Sequence, residues 1–390
     1  MKIEGCELKT RSFFALLRLG LQTCAVEDAD VAEFTQLTAK DWTDIKAMAD
    51  KQSVAAIVFD GLDSLVNRYG RDRIAPGIDM AWWQQFVYEW IGTTTQIEQK
   101  NKIQREVMDD LASQWRKNYL RVMIMKGQAS GTMYPRPEHR SPGDIDCYLF
   151  NEGRRTKDEG IAQNGGYRIG NEVAREMGAD VDESWYKHSQ IRYRGEMFEN
   201  HQYFVHTRDG KRGKRLEREL EEALRVDKSQ FLPLTSHTVL PPVQWTAMFL
   251  TYHACAHFVS EGLRLKQLLD WTMFLVKHQN DVDWPQFYTF CERHHLRRFA
   301  DAATAISVDY LGIKIANPAI TTNSPFAEKI LQSALYDDDY VFGSGEGSWH
   351  NRWHLVRNLF HYRWKYEDIY ETGPWRQLWY YASGYLFKTE

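Results

Sequence analysis

Residues 119–150 of the chain read YLRVMIMKGQASGTMYPRPEHRSPGDIDCYLF. This segment contains two compact, mostly apolar runs, 119–125 and 144–150, and the first of them ends at Lys126-Gly127. Short apolar runs that contain β-branched side chains and are bounded by turn residues are typical of buried strands. A short helix can form at 128–134, before the following prolines stop it. The segment therefore predicts two strands of a sheet.

The chain beyond this segment predicts a helix and a hairpin. The helix is expected at 167–177, after a polar stretch. The hairpin is expected from strands 189–193 and 197–205, which are joined at Arg194-Gly195, a pair that suits a tight turn. The order strand, helix, strand, helix, hairpin indicates a small mixed α/β unit.

Helical periodicity flanks this unit on both sides. Before it we expect helices near residues 13, 41 and 54, then one after Ala81 and a separate long one toward Trp115. The helices after it are expected at 244–259, 263–276, 284–294 and 299–311, followed by a last aromatic helix with Trp349, Trp353, Val356 and Phe360 on one stripe. We therefore predict an α+β fold with a small mixed sheet between two helical regions. The predicted domains are 1–115, 116–215 and 216–390.

The composition excludes several classes of protein. A chain of 390 residues is too long for one ordinary core. A net charge of −4 gives no basic excess to drive sequence-blind nucleic-acid binding, so nucleic acid is not an expected partner. The sequence predicts no membrane span and no signal peptide, so we expect a cytoplasmic protein. The five cysteines lack C-x-x-C spacing, which argues against a disulfide framework or a thiolate zinc site.

The aspartates at the start of the second strand are the sharpest chemical feature. Alternate side chains of a strand share one face, so Asp144 and Asp146 point the same way with their Cα atoms roughly 7 Å apart. Two carboxylates at that spacing can hold one or two Mg²⁺ or Mn²⁺ ions and leave positions open for phosphate oxygens. Such pairs also occur by chance at solvated strand ends. Here the rest of the strand is apolar, which favours the metal site.

The neighbouring residues suit a phosphate group. Gly127 allows close backbone approach at the start of a helix, and Lys126 can neutralise phosphate charge. Arg140 precedes the carboxylate strand and is in reach of a triphosphate or pyrophosphate. The alternatives are a plain strand-to-helix turn for Gly127 and a surface cation for Arg140.

A third carboxylate is needed to complete a two-metal site and to accept a proton from an attacking hydroxyl. Glu199 is the candidate, because strand alternation places it on one face with His201. Glu196 is nearer the hairpin turn, and we expect it to be solvated. His201 is a candidate for orienting a phosphate or hydroxyl, and a buried hydrogen-bonded histidine is the alternative.

Two more histidines lie one helical turn apart on a later helix. His253 and His257 lack the glutamate of a HExxH protease between them, and we interpret them as lining the acceptor side of a cleft. Packing with a hydrogen bond is the alternative. Asp270 is expected to form a structural salt bridge with Arg264 or one of these histidines. The basic run 211–215 is expected to be a solvated loop and helix start.

These residues together resemble a known family. The series MKG…YP…R-x-x-G-D-I-D…HSQIRYRGEMFENH resembles the uncharacterised nucleotidyltransferase family of bacteria, a branch of the DNA polymerase β-like nucleotidyltransferase superfamily. Five motifs of that family fall on residues of this chain. They are the strand end in Lys-Gly (Lys126-Gly127), the Tyr-Pro pair (Tyr134-Pro135), the arginine (Arg140), the Asp-x-Asp (Asp144/Asp146) and the later Glu-x-His (Glu199/His201). Gln128 stands where the wider superfamily has serine.

The resemblance implies a metal-dependent nucleotidyltransferase. Such an enzyme moves a nucleoside monophosphate from a nucleoside triphosphate, for which ATP is the abundant choice, to an acceptor that is a small molecule or a protein. The implied metal and catalytic residues are Asp144, Asp146 and Glu199, and the implied nucleotide-binding residues are Lys126, Gly127, Gln128 and Arg140. The alternatives are a catalytically inactive binding or regulatory protein of the same fold, which the missing serine favours, and a transferase acting on nucleic acid.

Overall fold

The computed structural model describes residues 7–28, 30–153, 165–207, 210–225, 230–260, 262–337, 361–373 and 375. The aromatic stripe expected between Trp349 and Phe360 lies outside these residues. No helix in the described ranges combines the length and the apolar character that crossing a bilayer requires.

Among the described residues, six α-helices precede the sheet. They are α1 (Leu8–Gly20), α2 (Val31–Phe34), α3 (Ala39–Lys51), α4 (Ala55–Tyr69), α5 (Arg71–Ile74) and α6 (Met80–Lys117). A capping box between Thr38 and Asp41 starts α3, and Gly20 and Gly61 let α1 and α4 pack with their backbones in close contact. The prediction of two separate helices between Ala81 and Trp115 was wrong. Nothing in this stretch stops a helix, because it contains no proline, and α6 runs through it for 38 residues.

The middle of the chain forms one mixed sheet. Its strands are β1 (Leu120–Ile124), β2 (Ile145–Asn151), β3 (Asp180–Asp182), β4 (His188–Tyr193), β5 (Glu196–His201) and β6 (Thr238–Val239), in the spatial order β3-β4-β5-β2-β1-β6. The pairs β1/β2 and β4/β5 are antiparallel, whereas β2/β5 and β1/β6 are parallel. Between the strands lie α7 (Gln128–Gly131) and α8 (Gly165–Glu176). The α+β class predicted from the sequence is confirmed.

The hairpin of β4 and β5 shows how local sequence sets the register. Arg194 and Gly195 both have positive φ, 48° and 82°, as a two-residue turn matched to the twist of the strands requires. The turn pairs Tyr193 with Glu196 and, at the open end, His188 with His201. The second strand ends at His201 rather than running to residue 205 as predicted.

In the part of the chain that the structure describes, six α-helices follow the hairpin. They are α9 (Gly210–Ala223), α10 (Val243–Ser260), α11 (Leu265–His278), α12 (Trp284–Arg293), α13 (Arg297–Asp309) and α14 (Ala327–Tyr336). Helices α1 to α4 share one continuous apolar core with α10 to α14. A smaller core lies between the sheet and helices α6 and α8, where Trp115 packs edge-on against Phe198. The sheet is therefore covered by helices, and one end of β2 and β5 faces α10 and α11.

Candidate active site

The carboxylates meet where β2 and β5 run side by side. The two strands are parallel neighbours, and Asp146 is the register partner of Glu199. Asp144 lies immediately before β2 and is exposed, whereas Asp146 is only 2% exposed. Two carboxylates from neighbouring strands and one from the strand start thus lie at the same edge of the sheet. The fold therefore brings Asp144, Asp146 and Glu199 to one edge of the sheet.

Lys126 and His201 contact the buried carboxylate of Asp146. His201 Nε2 and Lys126 Nζ lie 3.1 and 3.2 Å from its Oδ1 atom. Burial opposes ionisation, but Lys126 and His201 outweigh it and hold the pKa of Asp146 well below its usual range. Asp146 therefore stays ionised at neutral pH.

The environment of Asp144 has the opposite effect. Desolvation by the surrounding walls and the negative charges of Glu199 and Asp146 raise the pKa of Asp144, and Lys126 only partly offsets them. Like charges held close together favour any cation that binds between them. A cation that binds among these carboxylates would therefore reduce their mutual repulsion.

A cavity of about 180 Å³ opens beside these carboxylates. Its sheet-side wall contains Lys126, Gly127, Asp144 and Asp146. The opposite wall comes from α10 and α11, and its members with polar side chains are His253, His257, Lys266, Gln267 and Asp270. The cavity therefore has an acidic sheet side and a helical side that carries a lysine and two histidines.

Arg140 lines the cavity but is not a surface cation. Its side chain is buried and forms two hydrogen bonds to Asp270, with Nε–Oδ1 and Nη2–Oδ2 distances of 2.8 and 2.7 Å. Tyr134 donates a third hydrogen bond to Asp270, at 2.8 Å. The expected pairing of Asp270 with Arg264 or a histidine was wrong, because the fold brings it to a residue 130 positions away. This buried pair joins the loop before β2 to α11.

Buried amides of α6 hold the same loop from the other side. Asn101 donates to the backbone oxygens of Glu138 and Arg140, and Gln104 donates to that of Gly143. Gln128 donates to the side chains of Asn101 and Gln104, at 2.9 and 3.2 Å. The Gln128 side chain is thus engaged with α6 and is absent from the cavity lining.

The other residues predicted to bind nucleotide or acceptor fall into two groups. Gly127 has φ +66° and ψ −107° and lines the cavity beside the backbone oxygen of Asp144, so its freedom as a glycine is used. His253 and His257 face the cavity with their Nε2 atoms 3.2 Å apart. His201 contacts Asp146 and Glu199 instead and is absent from the cavity lining.

Two side chains differ from the sequence-based interpretation. Glu196 is buried and pairs with Lys100 of α6 at 2.6 Å, so the expectation that it is solvated was wrong. Lys266 faces the cavity although the sequence singled out no function for it. Burial, followed by the charge of Arg140, lowers the pKa of Lys266 to about 8. Its position one turn before Asp270 on α11 was the available signal.

The basic run at the start of α9 does not form a free patch as a whole. The guanidinium of Arg212 lies 3.9 Å from the ring centre of Tyr370 and donates to backbone oxygens of Tyr370 and His294. Part of the run is therefore used to pack α9 against the carboxy-terminal helices.

The donor set fits a hard divalent cation. Asp144, Asp146 and Glu199 offer only carboxylate oxygens, which Mg²⁺ and Mn²⁺ prefer. Desolvation, followed by the charges of Glu199 and Asp146, raises the pKa of Asp144, and a bound cation would offset the repulsion between these carboxylates. Asp144 and Asp146 line the cavity, whereas Glu199 is absent from its lining.

A family model described as uncharacterised nucleotidyltransferase matches residues 38–312, which is well over half of the chain. The chain therefore belongs to this nucleotidyltransferase family. The match includes both sides of the cavity, from α3 through the sheet to α13. No curated protein and no solved structure matches the chain.

Proposed function

We propose that the protein transfers a nucleoside monophosphate from a nucleoside triphosphate, with ATP the first choice, to a hydroxyl or similar nucleophile of a small molecule or protein. The observation that carries the proposal is the register pairing of Asp146 with Glu199 beside Asp144. Asp144 and Asp146 line a cavity that Lys126 and Lys266 also line. Membership of a nucleotidyltransferase family supports a nucleotide as substrate.

The side chains of the cavity suggest how the triphosphate lies. Lys126 and Lys266 supply ammonium groups to phosphate oxygens, and Gly127 lets the chain approach them closely. Arg140 adds positive charge from a fixed position, because Asp270 and Tyr134 hold its guanidinium. When Mg²⁺ or Mn²⁺ is bound by Asp144, Asp146 and Glu199, it supplies further charge stabilisation for the phosphates.

The proposed reaction is an in-line displacement at the α-phosphorus. The acceptor oxygen forms a bond to phosphorus as the bond to pyrophosphate breaks, and a carboxylate oxygen of Glu199 takes the acceptor proton. Lys126, Lys266 and Arg140 stabilise the negative charge that collects on the leaving pyrophosphate. His253 and His257 line the far side of the cavity, where they would orient the acceptor.

One observation favours a second candidate, a binding protein that retains the fold without transfer. Gln128 stands where a serine hydroxyl is expected to reach phosphate, and its side chain is held against α6. A protein of this kind would bind nucleotide and release no pyrophosphate.

The chain contains its own matched control for a test. Asp180 and Asp182 form a second Asp-x-Asp pair on the edge strand β3, where both are exposed. Calorimetric titration with ATP should show Mg²⁺-dependent binding that Asp144→Ala with Asp146→Ala removes and Asp180→Ala with Asp182→Ala retains. Binding that is equal in all three proteins would refute the site.

Transfer itself is tested with labelled triphosphates and cell lysate. We expect label in an acceptor and release of pyrophosphate by the wild type and by the Asp180/Asp182 variant, and neither by the Asp144/Asp146 variant. Nucleotide binding without pyrophosphate release would support the binding protein instead.

A further inference from the structure

His188, His201 and Glu199 offer nitrogen and oxygen ligand atoms close to one another. The two histidines have no part in the proposed transfer, whereas Glu199 and the neighbouring Asp146 do. His188 and His201 are register partners at the open end of the β4/β5 hairpin. Each points its Nε2 atom at Glu199, with distances of 3.5 Å from His188 to Oε1 and 3.4 Å from His201 to Oε2. One ligand atom from each of the three residues lies within 4.8 Å of the other two.

The hydrogen bonding of His201 shows what kind of partner its Nε2 atom needs. The other ring nitrogen, Nδ1, lies 3.1 Å from the backbone oxygen of Tyr203. A carbonyl oxygen only accepts hydrogen bonds, so Nδ1 carries the proton. The Nε2 atom of the neutral ring therefore presents a lone pair.

That lone pair faces two acceptors. Nε2 of His201 lies 3.4 Å from Glu199 Oε2 and 3.1 Å from Asp146 Oδ1, and ionised carboxylates also only accept. Three acceptors in mutual contact require a cation between them, which is either a proton on Nε2 or a metal ion. A backbone carbonyl that fixes the tautomer from behind is the usual partner of a metal-bound histidine.

The spacing of the ligand atoms fits a metal ion. A tetrahedral ion with bonds of about 2.0 Å holds its ligand atoms about 3.3 Å apart. The contacts of His201 with Asp146 and Glu199 and of His188 with Glu199 measure 3.1, 3.4 and 3.5 Å. A proton on His201 accounts for the contacts of that ring alone. The contact of His188 with Glu199 lies outside that explanation and brings a second imidazole to the same carboxylate.

The ligand types identify the class of ion. Two imidazole nitrogens with carboxylate oxygens suit Zn²⁺ and similar transition metals, whereas Mg²⁺ takes oxygen ligands. Both histidines are more than nine-tenths buried, so they are held in place by their surroundings. We propose that His188, His201 and Glu199, with Asp146 as fourth ligand, form a binding site for Zn²⁺ or a similar transition-metal ion.

The test uses the full chain, freed of metal with a chelator, with Co²⁺ and Zn²⁺ as probes. Four-coordinate Co²⁺ with nitrogen ligands absorbs visible light far more strongly than Co²⁺ in water. We expect one equivalent of Co²⁺ to produce this absorption, Zn²⁺ to displace it and a large excess of Mg²⁺ to leave it in place. Absence of the absorption, or equal displacement by Mg²⁺, would overturn the proposal.

Variants locate the site. His188→Gln and His201→Gln should each weaken Co²⁺ binding at least about 10-fold. His237→Gln should leave it unchanged, because that histidine contacts Asp109, which is not among the proposed ligands. Circular dichroism verifies folding, and His188→Gln at the hairpin end decides the question if the more deeply buried His201→Gln does not fold. Unchanged affinity in a folded His188 variant would rule the site out.

One further variant separates this inference from the proposed transfer. Asp144→Asn should abolish transfer and leave the Co²⁺ spectrum intact, because Asp144 is not among the proposed ligands. A Co²⁺ site in a chain that transfers no nucleotide would refute only the transferase. Transfer by a chain that binds no Co²⁺ would refute only the transition-metal site.

Discussion

Two strands of this protein carry the same Asp-x-Asp pattern with opposite surroundings. On β2 the pair is Asp144 and Asp146, beside an inner strand, and Asp146 contacts Lys126 and His201 next to a cavity. On the edge strand β3 the pair is Asp180 and Asp182, and both are exposed. The pattern alone therefore does not make a site.

The partners of the two pairs explain the difference. Asp180 pairs with Arg192, whose side chain is 54% exposed, and Asp182 accepts a hydrogen bond from the backbone N–H of Ser184. Solvent and a local turn thus satisfy the β3 pair. The β2 pair has the carboxylate of Glu199 as its neighbour, so its charges are concentrated rather than dispersed. The third acidic group, Glu199 on the neighbouring strand, adds the negative charge that a bound cation would offset.

The largest expected effect comes from neutralising one member of each pair. Asp146→Asn keeps the shape and removes the charge, and we expect transfer to fall about 1,000-fold. Asp182→Asn should retain wild-type transfer. Initial rates of pyrophosphate release measure both. Equal losses in the two variants would break the distinction between the strands.

A second contrast compares ion pairs near the two strands. Asp270→Asn leaves the buried Arg140 without its counter-charge, and we expect a loss of about 3 kcal/mol in the free energy of unfolding. Asp180→Asn removes the exposed pair with Arg192 and should cost under about 1 kcal/mol. Urea unfolding followed by tryptophan fluorescence gives both values. A cost for Asp180→Asn as large as that for Asp270→Asn would contradict the contrast.

A third contrast compares Gly127, which precedes α7 beside the cavity, with Gly178, which precedes the edge strand β3. Gly127→Ala forces a side chain into φ +66°, ψ −107°, beside the Asp144 carbonyl, and should cost about 2 kcal/mol and weaken ATP binding. Gly178→Ala, before β3, has positive φ but open space around it. It should cost about 1 kcal/mol and leave ATP binding unchanged. Thermal unfolding and calorimetric titration test the pair, and weaker ATP binding in Gly178→Ala would count against the assignment.

The smallest expected effect is a pH dependence of nucleotide binding. The pKa of Lys266 is lowered to about 8, so the ammonium is charged below that pH and neutral above it. ATP affinity should therefore fall about 10-fold as pH rises from 7 to 9, with proton uptake on binding at the upper end. Lys266→Arg, which stays charged, should bind equally at both values. Titration in buffers of different ionisation enthalpy measures the uptake, and a flat wild-type profile would exclude Lys266 from the site.

Much of the fold followed from the sequence because its signals are local. The apolar runs around Lys126-Gly127 and the turn at Arg194-Gly195 are short-range patterns, and the structure places strands and a hairpin there. The helical periodicity failed between Ala81 and Trp115, where polar residues interrupt the apolar stripe. There α6 continues because no proline stops it, and its buried amides Asn101 and Gln104 hold the loop before β2.

The candidate site was only partly predictable for a related reason. Strand alternation placed Asp144 and Asp146 together and put Glu199 on a face with His201, since these relations span few residues. Only its position one turn before Asp270 pointed to Lys266, and no local pattern joins Asp270 with Arg140. Their neighbours come from distant segments, and no local periodicity encodes such a meeting.

The sequence by itself determined the α+β class, the two carboxylate strands and the hairpin, because backbone preferences and apolar periodicity act over a few residues. Only the tertiary structure decided that β2 lies beside β5, so that Asp146 meets Glu199 and His201. It also decided which Asp-x-Asp pair borders a cavity. The physical reason is that burial and Coulomb interactions depend on distance in space, which folding sets, and not on separation along the chain.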